Sequence, residues 1–154
     1  NPHAVAKLKD DKLKAGLAKQ REDFAKFWKV ESGELVNGGE GPYATTDADY
    51  GDIELLIEYK TVPKADSGIY LRGSSKSQVN IWSWPCGSGE VWGYRTDANM
   101  PADVVAACTP KVNADRPVGQ WNRFVIVMKG DQLTVFENGQ LVIDHARLPA
   151  PIIK

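Results

Sequence analysis

The chain has 154 residues, 42% hydrophobic and 25% charged, with a formal net charge of −1 at neutral pH. That length suits one domain with a real core, and the balanced charge offers no electrostatic footprint for nucleic acid or an anionic membrane. No apolar run is long enough to cross a bilayer. The start, Asn1-Pro2-His3-Ala4, has neither an initiator Met nor the apolar region of a signal peptide, and suits a processed or trimmed chain.

Residues 4 to 28 are rich in the helix formers Ala, Lys, Leu, Gln and Glu. Leu8, Leu13, Leu17, Phe24 and Phe27 fall at near-helical spacing. One or two helices are expected, as a leader or linker over residues 1–26 ahead of a β domain over 27–154. From Phe27 the pattern turns to strand. Residues 27–30 and 34–37 read as a hairpin across Ser32-Gly33, and residues 38–42 as a Gly-rich loop. In residues 53–60, Ile53, Leu55, Ile57 and Tyr59 alternate with Glu54 and Glu58, which predicts a strand with one core face.

After a turn over residues 62–66, two further strands are expected, 66–73 and 78–84. Period-two alternation puts Tyr70 and Arg72 on one face, with Ile69 and Leu71 on the other. In the second strand Gln78, Asn80, Trp82 and Trp84 share a face, opposite Val79 and Ile81. A face carrying a guanidinium, amides and indoles together is not built for a dry core. It suits a ligand with hydroxyls and apolar C–H faces, that is, a sugar. Residues 85 to 120 read as a long loop region, a length that usually signals function or a staple. Cys86 and Cys108 lie within it. Two unrelated thiols and one disulfide formed in an oxidising compartment both fit the sequence, and two cysteines without a histidine cluster make a poor zinc site.

The last part reads as a meander. Residues 121–128 form a strand, Lys129-Gly130-Asp131 turns, residues 132–137 pair back, and Asn138-Gly139 signals a type I′ hairpin before residues 141–143. Trp121 is assigned to the core, and His145 to the surface. Many short strands joined by Gly and Pro turns indicate an all-β sandwich.

Several of these segments resemble one family in order and spacing. The carriers are Phe27-Trp28-Lys29-Val30 with Gly33-Glu34-Leu35, Tyr50-Gly51-Asp52-Ile53-Glu54-Leu55, Asp66 to Gly73, Gln78-Val79-Asn80-Ile81, Gly119-Gln120-Trp121-Asn122-Arg123, and Glu137 to Val142. Together, from about Phe27 to the C-terminus, they resemble the 3-keto-disaccharide hydrolase domain family. The resemblance implies a concanavalin A-like jelly-roll β-sandwich and cleavage of a glycoside already oxidised to a ketone at C3. It also implies a periplasmic or secreted setting. Two departures stand out. The family carries Glu and Gln where this chain has Gln78 and Asn80. The family also continues past residues 148–154 with further strands, so a fragment is expected, or a partner chain that completes the sheet.

The implied chemistry needs a base for the acidified C2–H, a cation or donor set for the enediolate oxygen, and an acid for the leaving group. Arg72 is the candidate oxyanion stabiliser, against an ion pair with Glu54 or Glu58. Asp66 is a candidate base, against a turn role before Ser67-Gly68. Glu90 is a candidate acid or base, against a solvated loop position. Gln78 and Asn80 would orient hydroxyls, Trp82, Trp84 and Trp92 would stack on the pyranose, and Tyr94 and Arg95 would line the loop side; for the indoles, core packing is the alternative. No cofactor is expected. Calcium could be held by carboxylates and amides, with Asp47, Asp49 and Asp52 suggestively spaced. An enzyme on 3-keto-glycosides ranks first, a non-catalytic carbohydrate-binding module second, and a structural domain of a larger assembly third.

Overall fold

The structure, a computed structural model, describes residues 9–149. The expected helix start over residues 4–8 and the terminal residues 150–154 lie outside the described residues. The chain divides into two compact units, residues 1–48 and 49–154.

In the first unit, helix α1 spans Asp10–Phe27 and buries no residue completely. Asp10 and Asp11 in its first turn and Lys26 in its last complement the helix dipole. Phe24 stacks on Trp28 at 5.5 Å between ring centroids. Strand β1 (Trp28–Glu31) pairs antiparallel with β2 (Glu34–Asn37) across Ser32-Gly33. Both turn residues have positive φ, as a two-residue hairpin with the native strand twist requires.

The second unit is mostly β. Strands β3 (Ile53–Lys60), β6 (Trp121–Lys129), β7 (Gln132–Glu137) and β8 (Gln140–Arg147) form a four-stranded antiparallel sheet in the order β3-β6-β7-β8. Asn138 and Gly139 both take positive φ in the β7–β8 hairpin, as Asn-Gly predicts. Strands β4 (Asp66–Tyr70) and β5 (Gln78–Trp82) form a separate two-stranded sheet. The expected long loop is not structureless. Its Gly89–Val91 stretch runs along β5: the Asn80 N–H donates to the Glu90 carbonyl at 2.9 Å, and the Gly89 N–H to the Asn80 carbonyl at 2.8 Å. Two short helices follow, α2 (Trp92–Arg95) and α3 (Ala102–Ala107).

The core lies between these layers. Phe124, Ile126, Met128, Leu133, Val135, Val142 and Ile143 of the large sheet form one cluster with Leu71, Val79, Ile81 and Val91. Burying each such side chain contributes about 1.5–3 kcal/mol. One expectation fails here, and one open alternative is decided. Trp121 is an exposed residue at the start of β6, with the Lys60 ammonium 4.8 Å over its ring. Cys86 and Cys108 are both free thiols. Cys108 is sealed in the core, where burial pushes its thiol up to about 12.

Candidate functional site

The β4–β5 pairing sets Asp66 opposite Trp82, Gly68 opposite Asn80 and Tyr70 opposite Gln78. Directly paired residues share a face, so these six side-chain positions form one surface, while Ile69, Val79 and Ile81 turn to the core. The shared face of Gln78 and Asn80 is visible as a hydrogen bond: Gln78 Nε2 donates to Asn80 Oδ1 at 2.6 Å. Gly68 makes this arrangement fit. A Cβ there would come within 2.6 Å of Gln78 Nε2, so the glycine lets the amide lie flat across the strand.

Asn80 hands the contact on. Its Nδ2 donates to Glu90 Oε1 at 2.9 Å, and Arg95 Nε donates to the other carboxylate oxygen. Glu90 is 0% exposed, while the Arg95 side chain is 20% exposed. The buried carboxylate is thus neutralised from one side and hydrogen-bonded from the other, as a charge out of water requires. The guanidinium lies 4.2 Å from the Trp84 ring centroid, a cation–π contact that fixes its plane. Trp84 in turn lies 5.7 Å from Trp82, tilted by 33°. The result is an oriented guanidinium whose Nε is committed and whose terminal nitrogens have no protein acceptor among the described residues. It sits beside the Trp84–Trp82 pair and connects to Gln78 through Glu90 and Asn80. Such a set can grip a keto or hydroxyl oxygen while the rings cover an apolar sugar face.

Beyond Trp82 lies a cleft of about 470 Å³. Trp82, Trp84 and Pro85 form one wall, and Asn113, Asp115, Arg116 and Val118 the other. The Ser88 N–H donates to Asp115 Oδ2 at 2.9 Å. Next to Asp115 lies Glu137, the last residue of β7, itself 0% exposed. Burial first, and Asp115 after it, push the Glu137 carboxyl up to about 8, while the hydrogen bond from Tyr59 pulls the other way.

The sequence model of the 3-keto-alpha-glucoside-1,2-lyase-like domain family matches residues 7–152. The chain belongs to this family. The match includes α1, which precedes the segments that carry the resemblance. No curated protein and no solved structure matches the chain.

For this lyase-like domain the expected site residues fall into three groups. Gln78, Asn80, Glu90, Trp82 and Trp84 come together with Arg95. Glu90 does so as a sealed residue, because its segment runs along β5. Asp66 is exposed at the Trp82 end of the face. Trp92, at the start of α2, is 43% exposed. Arg72 and Tyr94 stand apart. Strand β4 ends at Tyr70, and Arg72 takes φ 52° in the following turn, so the alternation that aligned it with Tyr70 is broken. Its guanidinium bonds the Gly51 carbonyl and Asp52, both at 3.3 Å. Neither expected partner, Glu54 or Glu58, takes it; Glu58 pairs with Arg123. Tyr94 is buried, its hydroxyl donating to the Pro149 carbonyl at 2.7 Å, so it packs the core instead of lining a binding face.

Asp52, one of the three suggestively spaced carboxylates, is already engaged: it accepts from Arg72 and from the Gly130 N–H at 2.8 Å. Among the described residues no group of three or more His, Cys, Asp or Glu side chains is gathered to hold a metal, and no helix is long and apolar enough to cross a membrane. His145 is exposed, its Nδ1 beside Asp144. The Glu137, Asp115 and Tyr59 cluster has no counterpart among the expected site residues. The alternation of β3 places Tyr59 on the core side, and the 78-residue separation from Glu137 hides the pair from any local pattern.

Proposed function

We propose that this domain cleaves 3-keto-glycosides by removing the C2 proton and expelling the C1 substituent, on the face formed by β4 and β5. The observation that carries this reading is the Arg95 guanidinium, stacked on Trp84 and held from behind by buried Glu90. An enediolate forms when the C2 proton leaves, and a fixed, permanently charged fork beside it stabilises that charge without reorganisation. Asp66, the exposed carboxylate of this face, is the base. Gln78 presents its carbonyl oxygen to a sugar hydroxyl, Trp82 and Trp84 cover the ring, and Asn80 and Glu90 position Arg95. We read the two-layered β unit as a concanavalin A-like jelly roll.

The test is incubation with a 3-keto-glucoside bearing a chromogenic aglycone, beside the unoxidised glucoside. Release from the keto compound alone supports the reading. Release from both, or from neither, in a folded chain removes it. A second reading, a carbohydrate-binding module, is favoured by one observation: both oxygens of Glu90 have protein partners and the side chain is fully buried, so this carboxylate is not open to a ligand. Saturable quenching of Trp fluorescence by sugars without product would support that alternative.

A further inference from the structure

We propose that the cleft beside Trp82 receives the leaving group and that Asp115 is its general acid, sharing one proton with Glu137; this rests on the 3-keto-glycoside reading above. Glu137 Oε1 accepts from the Tyr59 hydroxyl at 2.5 Å, and its Oε2 is buried with no hydrogen-bond donor. What lies beside it is a second carboxylate, Asp115, which also lines the cleft. Two ionised carboxylates side by side in a water-poor place repel strongly, and a buried oxygen without a donor is costly. A single proton between them removes both penalties.

The groups around the pair do not supply that compensation otherwise. From β3 comes the Tyr59 hydroxyl, already donated. Ser88 offers its backbone N–H to Asp115. Arg116 is the nearby cation, but its guanidinium donates to the Trp121 carbonyl at 3.1 Å, and its backbone N–H to Asn122 Oδ1. Asn138 spends its amide on Ala114 and Asn122. The upward push on Glu137 agrees with a proton resident there at neutral pH.

The cleft gives the proton a use. Trp82 and Trp84 belong both to the sugar face and to the cleft wall, so a glycoside held on that face directs its aglycone toward Asp115. Asp66 takes the C2 proton, and the C–H electron pair becomes the C1–C2 double bond. The C1–O bond breaks, and its electron pair stays on the departing oxygen. That oxygen takes the shared proton from Asp115, giving a neutral alcohol and a 2-hydroxy enone. The proton on Asp66 returns to the carboxylate pair through solvent, so the cycle is balanced.

The test compares two 3-keto-glucosides, one with a nitrophenolate leaving group, which needs no acid, and one with a methoxide leaving group, which does. Asp115→Asn keeps the acceptor for the Ser88 N–H. It should lower turnover of the methyl glycoside by roughly 10²–10⁴-fold and leave the nitrophenyl compound within a few-fold. Glu137→Gln should move the alkaline limb of the methyl glycoside's rate profile from near pH 8 down into the ordinary carboxylate range. Equal effects of Asp115→Asn on both substrates, or none, would overturn the assignment while leaving the elimination chemistry standing. A wild-type chain that cleaves neither keto compound removes both proposals at once. Infrared difference spectra give a readout independent of turnover: a carboxylic-acid C=O band at pH 6 that Glu137→Gln abolishes is expected, and its absence rules out the shared proton.

Discussion

Replacing Arg95 by Met should destabilise the fold and disable the proposed site together. The substitution leaves Glu90 buried with only Asn80 for compensation. Removing one partner of a buried ion pair costs about 3–5 kcal/mol. Because the Arg95 side chain keeps 20% of its surface in water, solvent screens part of the pair, and about 3 kcal/mol is the appropriate figure. For a chain of this size that lowers the melting temperature by roughly 6–12 °C. Urea titrations followed by circular dichroism measure it. Glu90→Gln, which removes the charge yet keeps an acceptor for Asn80, should cost less. The double variant Glu90→Gln/Arg95→Met should recover part of the Arg95→Met loss, because no uncompensated carboxylate remains. An Arg95→Met variant within about 0.5 kcal/mol of wild type, or strictly additive single losses, would refute the idea that these two residues act as one buried unit.

Three further outcomes follow from the same structure. Glu137 titrates near 4.5 when unfolded and about 8 when folded, so the folded state binds the extra proton between those values. Stability is full below the lower value, falls by a few kcal/mol up to the higher one and then levels. Urea midpoints of Glu137→Gln should lack that decline, and an unchanged pH dependence would contradict the placement. Gly93→Ala should destabilise by about 1–3 kcal/mol or more, since a Cβ there would meet the Lys76 Cα at 2.4 Å and its carbonyl oxygen at 2.6 Å; a melting temperature equal to wild type would show that the backbones are further apart. A thiol reagent should label Cys86 in the native protein and Cys108 only on unfolding; rapid native labelling of both would mean that the α3 region opens.

The strands were legible because their alternation is strict. Ile53 to Lys60, the Asn138-Gly139 hairpin and the common face of Gln78, Asn80 and Trp82 all follow from period two and turn chemistry. Arg72 was misplaced because one left-handed residue after Tyr70 breaks the period, and nothing in Leu71-Arg72-Gly73 announces it apart from the glycine. Glu90 looked like a loop carboxylate because Gly87-Ser88-Gly89 reads as a flexible turn. In the fold that stretch runs along β5, and the absent Cβ at Gly89 lets the backbone sit against Val142. Cys86 and Cys108 illustrate the same limit, since loop position alone does not say which thiol is sealed. Arg95 and the Tyr59–Glu137 pair depend on contacts between elements, which no window of sequence contains.

The claim that most needs testing is that a proton leaves C2 before the glycosidic bond is lost. A 3-keto-glucoside incubated with the domain in D₂O, and followed by NMR, addresses it directly. The account predicts loss of the C2–H signal in step with aglycone release, deuterium at C2 in any hydrated product, and neither change with Arg95→Met. Aglycone release with the C2–H intact would contradict it and point to direct displacement at C1.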